Sequence, residues 1–229
     1  MRVLIPVVVA VAGALALFTT HDVPTAPTPE DARAIRQLLP NEKRLAGSFE
    51  EEVALILRVQ DRVLTASPEE RGIDLDQSRE LQDLIRARHG ACFDRSRAIE
   101  TVLRSYGFRT RHAAMYSTVE TGSALRALTT PDTISHALTE VKTSRGWMIV
   151  DFKTRWAGLT SDGQPLDLAG IRANPKRKWN SKVPGTLPEI YDAPFTWVYG
   201  LYSRHGRFYP RTTRFRTSTG ASWQRTYEP

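Results

Sequence analysis

"HGACFDRSRAIETVLRSYG", residues 89–107, is the stretch whose reading decides the fold of this chain. Ile99, Val102, Leu103 and Tyr106 recur at the i, i+3, i+4, i+7 spacing of one apolar helical stripe, and Gly107 closes the run as a glycine C-cap. Cys92 falls two helical turns before Ile99 on that stripe, so its sulfur is expected to point inward. It also occupies the first turn, where unpaired N–H groups and the positive end of the helix dipole favour an anion and lower a thiol's pKa. Cys92 is the only cysteine, which excludes an internal disulfide framework. A lone thiol is either a small buried hydrophobe or a group kept for its reactivity.

Outward from this helix the pattern changes period. "FRTRHAAMYST" (Phe108 to Thr118) alternates and is rich in strand formers, and "TGSALRALTTPDT" (Thr121 to Thr133) reads as a loop with one turn of helix. "SHALTEVKTSRGWMIVDFK" (Ser135 to Lys153) reads as two strands joined by a short turn containing Gly146. A two-residue loop at Thr143–Ser144 sets His136 opposite Asp151, and a four-residue loop at Thr143–Gly146 makes them diagonal neighbours. Either loop keeps both on one face of the sheet.

Upstream, Glu30 to Leu39 reads as a short helix between Pro29 and Pro40. Ser48 and Glu51 form a capping box for a helix running to Ser67, with Val53, Ile56, Leu57, Gln60, Val63 and Leu64 on one face. Asp76 to Gly90 is predicted as a third helix carrying Leu81, Leu84 and Ile85, with Gly90 as its stop. The chain therefore reads as α+β.

A thiolate nucleophile needs an imidazole to take its proton, and the imidazole needs a third group to fix its tautomer. Cys92 at a helix start, His136 near a strand start and Asp151 on the adjoining strand supply such a set. Taken singly each has an ordinary explanation: a structural cysteine, a filler histidine, an aspartate turning the chain.

These residues come in motifs, "GAC" (Gly90 to Cys92), "LRSYGFRTRHAAMY" (Leu103 to Tyr116), "SHALTEV" (Ser135 to Val141) and "GWMIVDFK" (Gly146 to Lys153). In order and spacing they resemble the transglutaminase-like branch of the papain-like cysteine enzymes, over about Leu84 to Leu159. The resemblance implies a papain-like core with the nucleophile at the N-terminus of a helix packed on an antiparallel sheet. By position it makes Cys92 the nucleophile, His136 the base and Asp151 the orienting acid. The chain departs from the family at Leu138, where an aromatic often stands, and at Phe152, where a proline commonly follows the aspartate. No upstream side chain is singled out to complete an oxyanion hole. Gln60 and Gln82 have suitable amides, and the backbone N–H of Cys92 is one donor in any case.

His89, at a helix end, and His112, alternating with core residues on a strand, read as structural. No spacing of His, Cys or carboxylates suggests zinc, and no Asp/Asn pattern suggests a calcium loop, so neither metal nor cofactor is expected.

With 229 residues and 41% hydrophobic side chains the chain suffices for one domain plus appendages. Residues 1–20, Met-Arg followed by the apolar run Val3 to Phe18, read as a signal peptide or N-terminal membrane anchor. Residues 21–29 read as a proline-rich linker and 30–229 as the transglutaminase-like domain, with a basic, aromatic C-terminal extension from about 160. The expected location is the periplasm or cell envelope. The net charge of +7, gathered late in "NPKRKW" and Ser203 to Arg225, then suits an anionic envelope polysaccharide or a membrane surface, not nucleic acid. The expected function is cysteine-dependent acyl transfer on a peptide or protein amide through a thioester, by a peptidase or amidase more than a transglutaminase. The alternative is a non-catalytic envelope protein of the same fold that binds peptide or polysaccharide.

Overall fold

In the computed structural model, residues 27–40, 47–74, 77–173 and 178–200 are described. The expected signal or anchor and most of the basic tail lie outside them. Among the described residues no helix is long and apolar enough to cross a membrane.

Helices α1 (Pro29–Leu38) and α2 (Phe49–Ala66) each start on a capping box, Thr28 with Asp31 and Ser48 with Glu51, which satisfies two otherwise unpaired N–H groups at each start. Helix α3 is shorter than its pattern suggests, Leu81–Ala87. It begins where the Asp83 carboxylate accepts the Glu80 N–H, and it ends at Arg88, not Gly90, because Arg88 takes the left-handed conformation at φ 59°. Gly90 matters instead for its size. A Cβ there would lie 2.3 Å from Leu84 Cδ1 and 3.2 Å from Asp94 Cβ, so the missing side chain lets the backbone pass close to α3 just before the cysteine.

Helix α4 (Cys92–Ser105) starts at Cys92 as the stripe requires, with Asp94 accepting the Ala91 N–H at 2.9 Å. Gly107, at φ 98°, turns the chain out of the helix in a conformation that a side chain would strain.

The sheet holds β1 (Arg109–Ser117), β2 (Ser135–Thr143), β3 (Gly146–Val150) and β4 (Phe195–Tyr199) in the order β3-β2-β1-β4, with every pairing antiparallel. Short helices α5 (Ala124–Thr129) and α6 (Leu168–Ala173) and a 3₁₀ turn (Glu189–Tyr191) lie in the connections.

The hairpin closes with Thr143 paired to Gly146, leaving Ser144 and Arg145 as its loop. Thr139 pairs with Val150, so Asp151, just past the end of β3, is diagonal to His136 and on the same face. The other face packs on α4: Thr139 Oγ1 donates to the Ser96 carbonyl at 2.7 Å, and Ser96 Oγ lies 3.2 Å from His112 Nδ1. The core runs from Ile56 and Val59 of α2 through Ile99, Val102 and Leu103 of α4 to Val141, Met148 and Ile149 of the sheet. A helix carrying its first residue into the core, laid on an antiparallel sheet, is the papain-like, transglutaminase-like architecture.

Candidate active site

Cys92 is 1% exposed, facing inward as its place on the stripe demands. β3 stops at Val150, so nothing on that side claims the Ala137 N–H, which instead meets the Cys92 sulfur together with the N–H of Phe93. The sulfur is thus seated on the β2 backbone one residue from His136. No hydrogen bond joins it directly to the imidazole.

The dipole expectation for this thiol does not hold. Its pKa is pushed up to about 12, chiefly because burial strips water from the charged form, and the nearby charges of Glu70 and Asp94 add to the rise. The two N–H groups favour the thiolate but do not overcome burial. The resting thiol is therefore neutral.

The imidazole and the carboxylate are already joined. His136 Nε2 lies 2.6 Å from Asp151 Oδ2, with both side chains buried. This pairing fixes Nδ1 as the nitrogen that faces away from the carboxylate. The ring is clamped by Phe152 at 4.7 Å between centroids and by Tyr191, edge-on, at 5.8 Å. Phe152, a departure from the family pattern, thus serves as packing for the base.

Asp151 is held from several sides. Burial opposes its ionisation, but the His136 charge and hydrogen bond, the Lys153 N–H on Oδ1 at 2.7 Å and the Tyr191 hydroxyl on Oδ2 at 2.9 Å outweigh it, and its pKa is lowered. Its backbone is fixed as well: Gln60 Nε2 donates to the carbonyls of Asp151 at 2.6 Å and Trp156 at 2.7 Å. Both amide protons of Gln60 are thereby used, so this residue clamps the acid's loop and is not an oxyanion donor. Gln82 lies on α3 with its amide oxygen buried.

Sequence reading missed Tyr191 altogether. It comes from a 3₁₀ turn far along the chain, and "LPEIYDAPF" carries no periodicity to mark it. His89 and His112 stand apart from the pair. His89 Nδ1 lies 3.0 Å from the Arg71 carbonyl, and His112 is buried against Ser96 with its pKa pushed down to about 3, mainly by desolvation. Among the described residues no cluster of histidine, cysteine or carboxylates could hold a metal ion.

A thiol on a helix start, beside a buried imidazole–carboxylate pair on an antiparallel sheet, defines the class as the papain-like fold. Comparison with known families agrees: the profile of the transglutaminase-like superfamily matches residues 42–152, just under half of the chain. The match takes in α2, α4, β1 and the whole β2–β3 hairpin and ends one residue past Asp151. No curated protein matches the chain. Among solved structures, arylamine N-acetyltransferase from Salmonella typhimurium is similar at 23% identity with a TM-score of 0.34, over 53% of this chain. The chain spans 44% of that protein's length.

Proposed function

We propose that this protein is an exported cysteine-dependent acyl-transfer enzyme in which Cys92 is the nucleophile, His136 the general base and acid, and Asp151 the orienting acid. The observation that carries the reading is the buried His136–Asp151 contact at 2.6 Å, on a strand whose next N–H meets the Cys92 sulfur. A merely structural histidine has no need of a buried carboxylate fixed by three donors.

In the reaction, His136 takes the Cys92 proton as the sulfur attacks an amide or ester carbonyl, and the oxyanion forms against the N–H groups of the first helical turn. The leaving amine or alcohol takes the proton back from His136, and a thioester remains on Cys92. Water then attacks the thioester with His136 as base and releases the acid; an amine in its place gives transfer. Hydrolysis of a peptide or protein amide is the favoured outcome.

A neutral resting thiol fits this scheme, since proton transfer to His136 needs the sulfur and Nδ1 to close together, and such contacts tighten when substrate binds. The test is alkylation by iodoacetamide under native conditions. Cys92 should be modified in the folded protein with His136 acting as its base, and His136→Ala should slow that modification sharply. Modification only after denaturation would defeat the proposal.

A second reading, a non-catalytic binder of peptide or polysaccharide in the cell envelope, is favoured by the sheet's outer face. There the Arg111 guanidinium lies 4.2 Å from the Trp147 ring and 4.3 Å from Tyr199, and Arg172 covers Trp197 at 4.5 Å. Loss of turnover in Cys92→Ala separates the two readings.

A further inference from the structure

The segment after α2 is tied to the loop that leads into Cys92. Glu69 forms a bridge with His89: its carbonyl accepts the Gly90 N–H at 3.1 Å, and its own N–H points to the Arg88 carbonyl at 3.5 Å. This bridge pins the next residue, Glu70, beside the loop that leads into Cys92. Glu70 Oε1 is buried and has no hydrogen-bond partner among the described residues. A buried carboxylate oxygen with no donor is costly, and proteins keep few of them.

The surrounding charges are otherwise accounted for. Asp94, which also faces the thiol, is neutralised by Arg79 at 2.9 Å. Arg95 feels both Glu70 and Cys92, but its Nη2 is directed to the Ser67 carbonyl at 2.6 Å and it forms no ion pair with Glu70. Tyr116 feels the charge of Cys92 but, with its own pKa raised chiefly by burial, is neutral. Arg155, the remaining charge acting on Arg95, pairs with Asp61 at the surface. Among the described residues, Glu70 thus has an open acceptor and no ion pair, and its charge acts on the nucleophile.

We propose that Glu70 receives a positively charged amine of the substrate, so that the site takes amides or esters bearing an ammonium group near the scissile carbonyl. This rests on Cys92 being the nucleophile. Binding and activation are then coupled: an ammonium seated on Glu70 cancels a negative charge beside the sulfur and makes the thiolate easier to form. Substrates without the cation form the thiolate less readily.

Methanethiosulfonate reagents of three charges test this without knowledge of the natural substrate. In each, the Cys92 thiolate attacks the reagent's sulfenyl sulfur, a disulfide forms and methanesulfinate leaves. In the full-length protein the ethylammonium reagent should modify Cys92 about tenfold faster than the ethylsulfonate reagent, relative to the same pair on free cysteine, the effect of about one pKa unit of local potential. In Glu70→Gln that preference should vanish while the neutral methyl reagent reacts faster than in the wild type. Propylammonium should accelerate the neutral reagent saturably in the wild type and not in Glu70→Gln, a measurement whose wild-type arm needs no variant to fold. A structural role for Glu70 predicts slower or unchanged reaction with all three reagents. Rapid modification of Cys92 with no charge preference would overturn the ammonium site and leave the acyl-transfer reading standing. Failure of every reagent to reach Cys92 in the native protein would count against both.

Discussion

Tyr191 and His136 bind the same oxygen of Asp151, the hydroxyl at 2.9 Å and Nε2 at 2.6 Å. Two donors converging on one buried oxygen fix both the carboxylate rotamer and the imidazole plane, and Tyr191 adds an edge-on contact to the ring it helps to aim. The candidate base is therefore oriented before any substrate arrives.

Removing the Tyr191 hydroxyl should loosen that aim without emptying the core. Tyr191→Phe keeps the ring packing and loses one charge-assisted hydrogen bond, which is worth about 1.5–3 kcal/mol. We expect a turnover loss of roughly tenfold or more with KM little changed. The pH profile should shift as well, because Asp151 loses one of the donors that lower its pKa. Steady-state kinetics across pH on Tyr191→Phe checks this; an unchanged profile would make Tyr191 simple packing.

Gln60 offers a stability test that reaches the site. Its amide serves the carbonyls of Asp151 and Trp156, so Gln60→Met leaves the Asp151 carbonyl without its donor and the Trp156 carbonyl with the Asp151 N–H alone. One unsatisfied buried carbonyl costs about 1–3 kcal/mol, and thermal unfolding should show a drop of several degrees. Activity should fall further than stability explains, since the loop carrying Asp151 is freed.

His112 makes the fold sensitive to acid. Its folded pKa of about 3 lies below the ordinary 6.5, so between those values the unfolded chain binds a proton that the native protein refuses. Stability is therefore fully present above about pH 6.5 and declines as pH falls through this window, by up to about 1.4 kcal/mol per pH unit. Urea titrations at pH 7, 5 and 4 should show the decline, and His112→Gln should flatten it whatever that substitution costs at pH 7. Parallel slopes in the two proteins would place the acid sensitivity elsewhere.

Local pattern made much of this site readable. The stripe through Ile99 and Val102 set the start of α4 and the inward turn of Cys92, and the parity of the hairpin put His136 and Asp151 on one face. What pattern alone left hidden was long-range or energetic. Tyr191 reaches Asp151 from an aperiodic turn, and Gln60 reads as a core-facing helix position until its two carbonyl partners are seen 91 and 96 residues away. The thiol's pKa went the other way from the dipole argument because desolvation depends on everything packed around the helix start, not on the helix. Arg88 ended α3 early through a backbone conformation that its residue type does not announce.

The central claim, that Cys92 carries the acyl group, is tested most directly by exposing the protein to p-nitrophenyl acetate and locating the acetyl group by mass spectrometry of the quenched reaction. The account predicts a burst of p-nitrophenol with a single acetyl on Cys92. It also predicts no acetyl-enzyme in a folded Cys92→Ala protein, and a roughly 10⁴-fold slower acylation in Asp151→Asn, the cost of the wrong imidazole tautomer in comparable triads. Undiminished turnover in Cys92→Ala, or an acetyl group found on another residue, would contradict it.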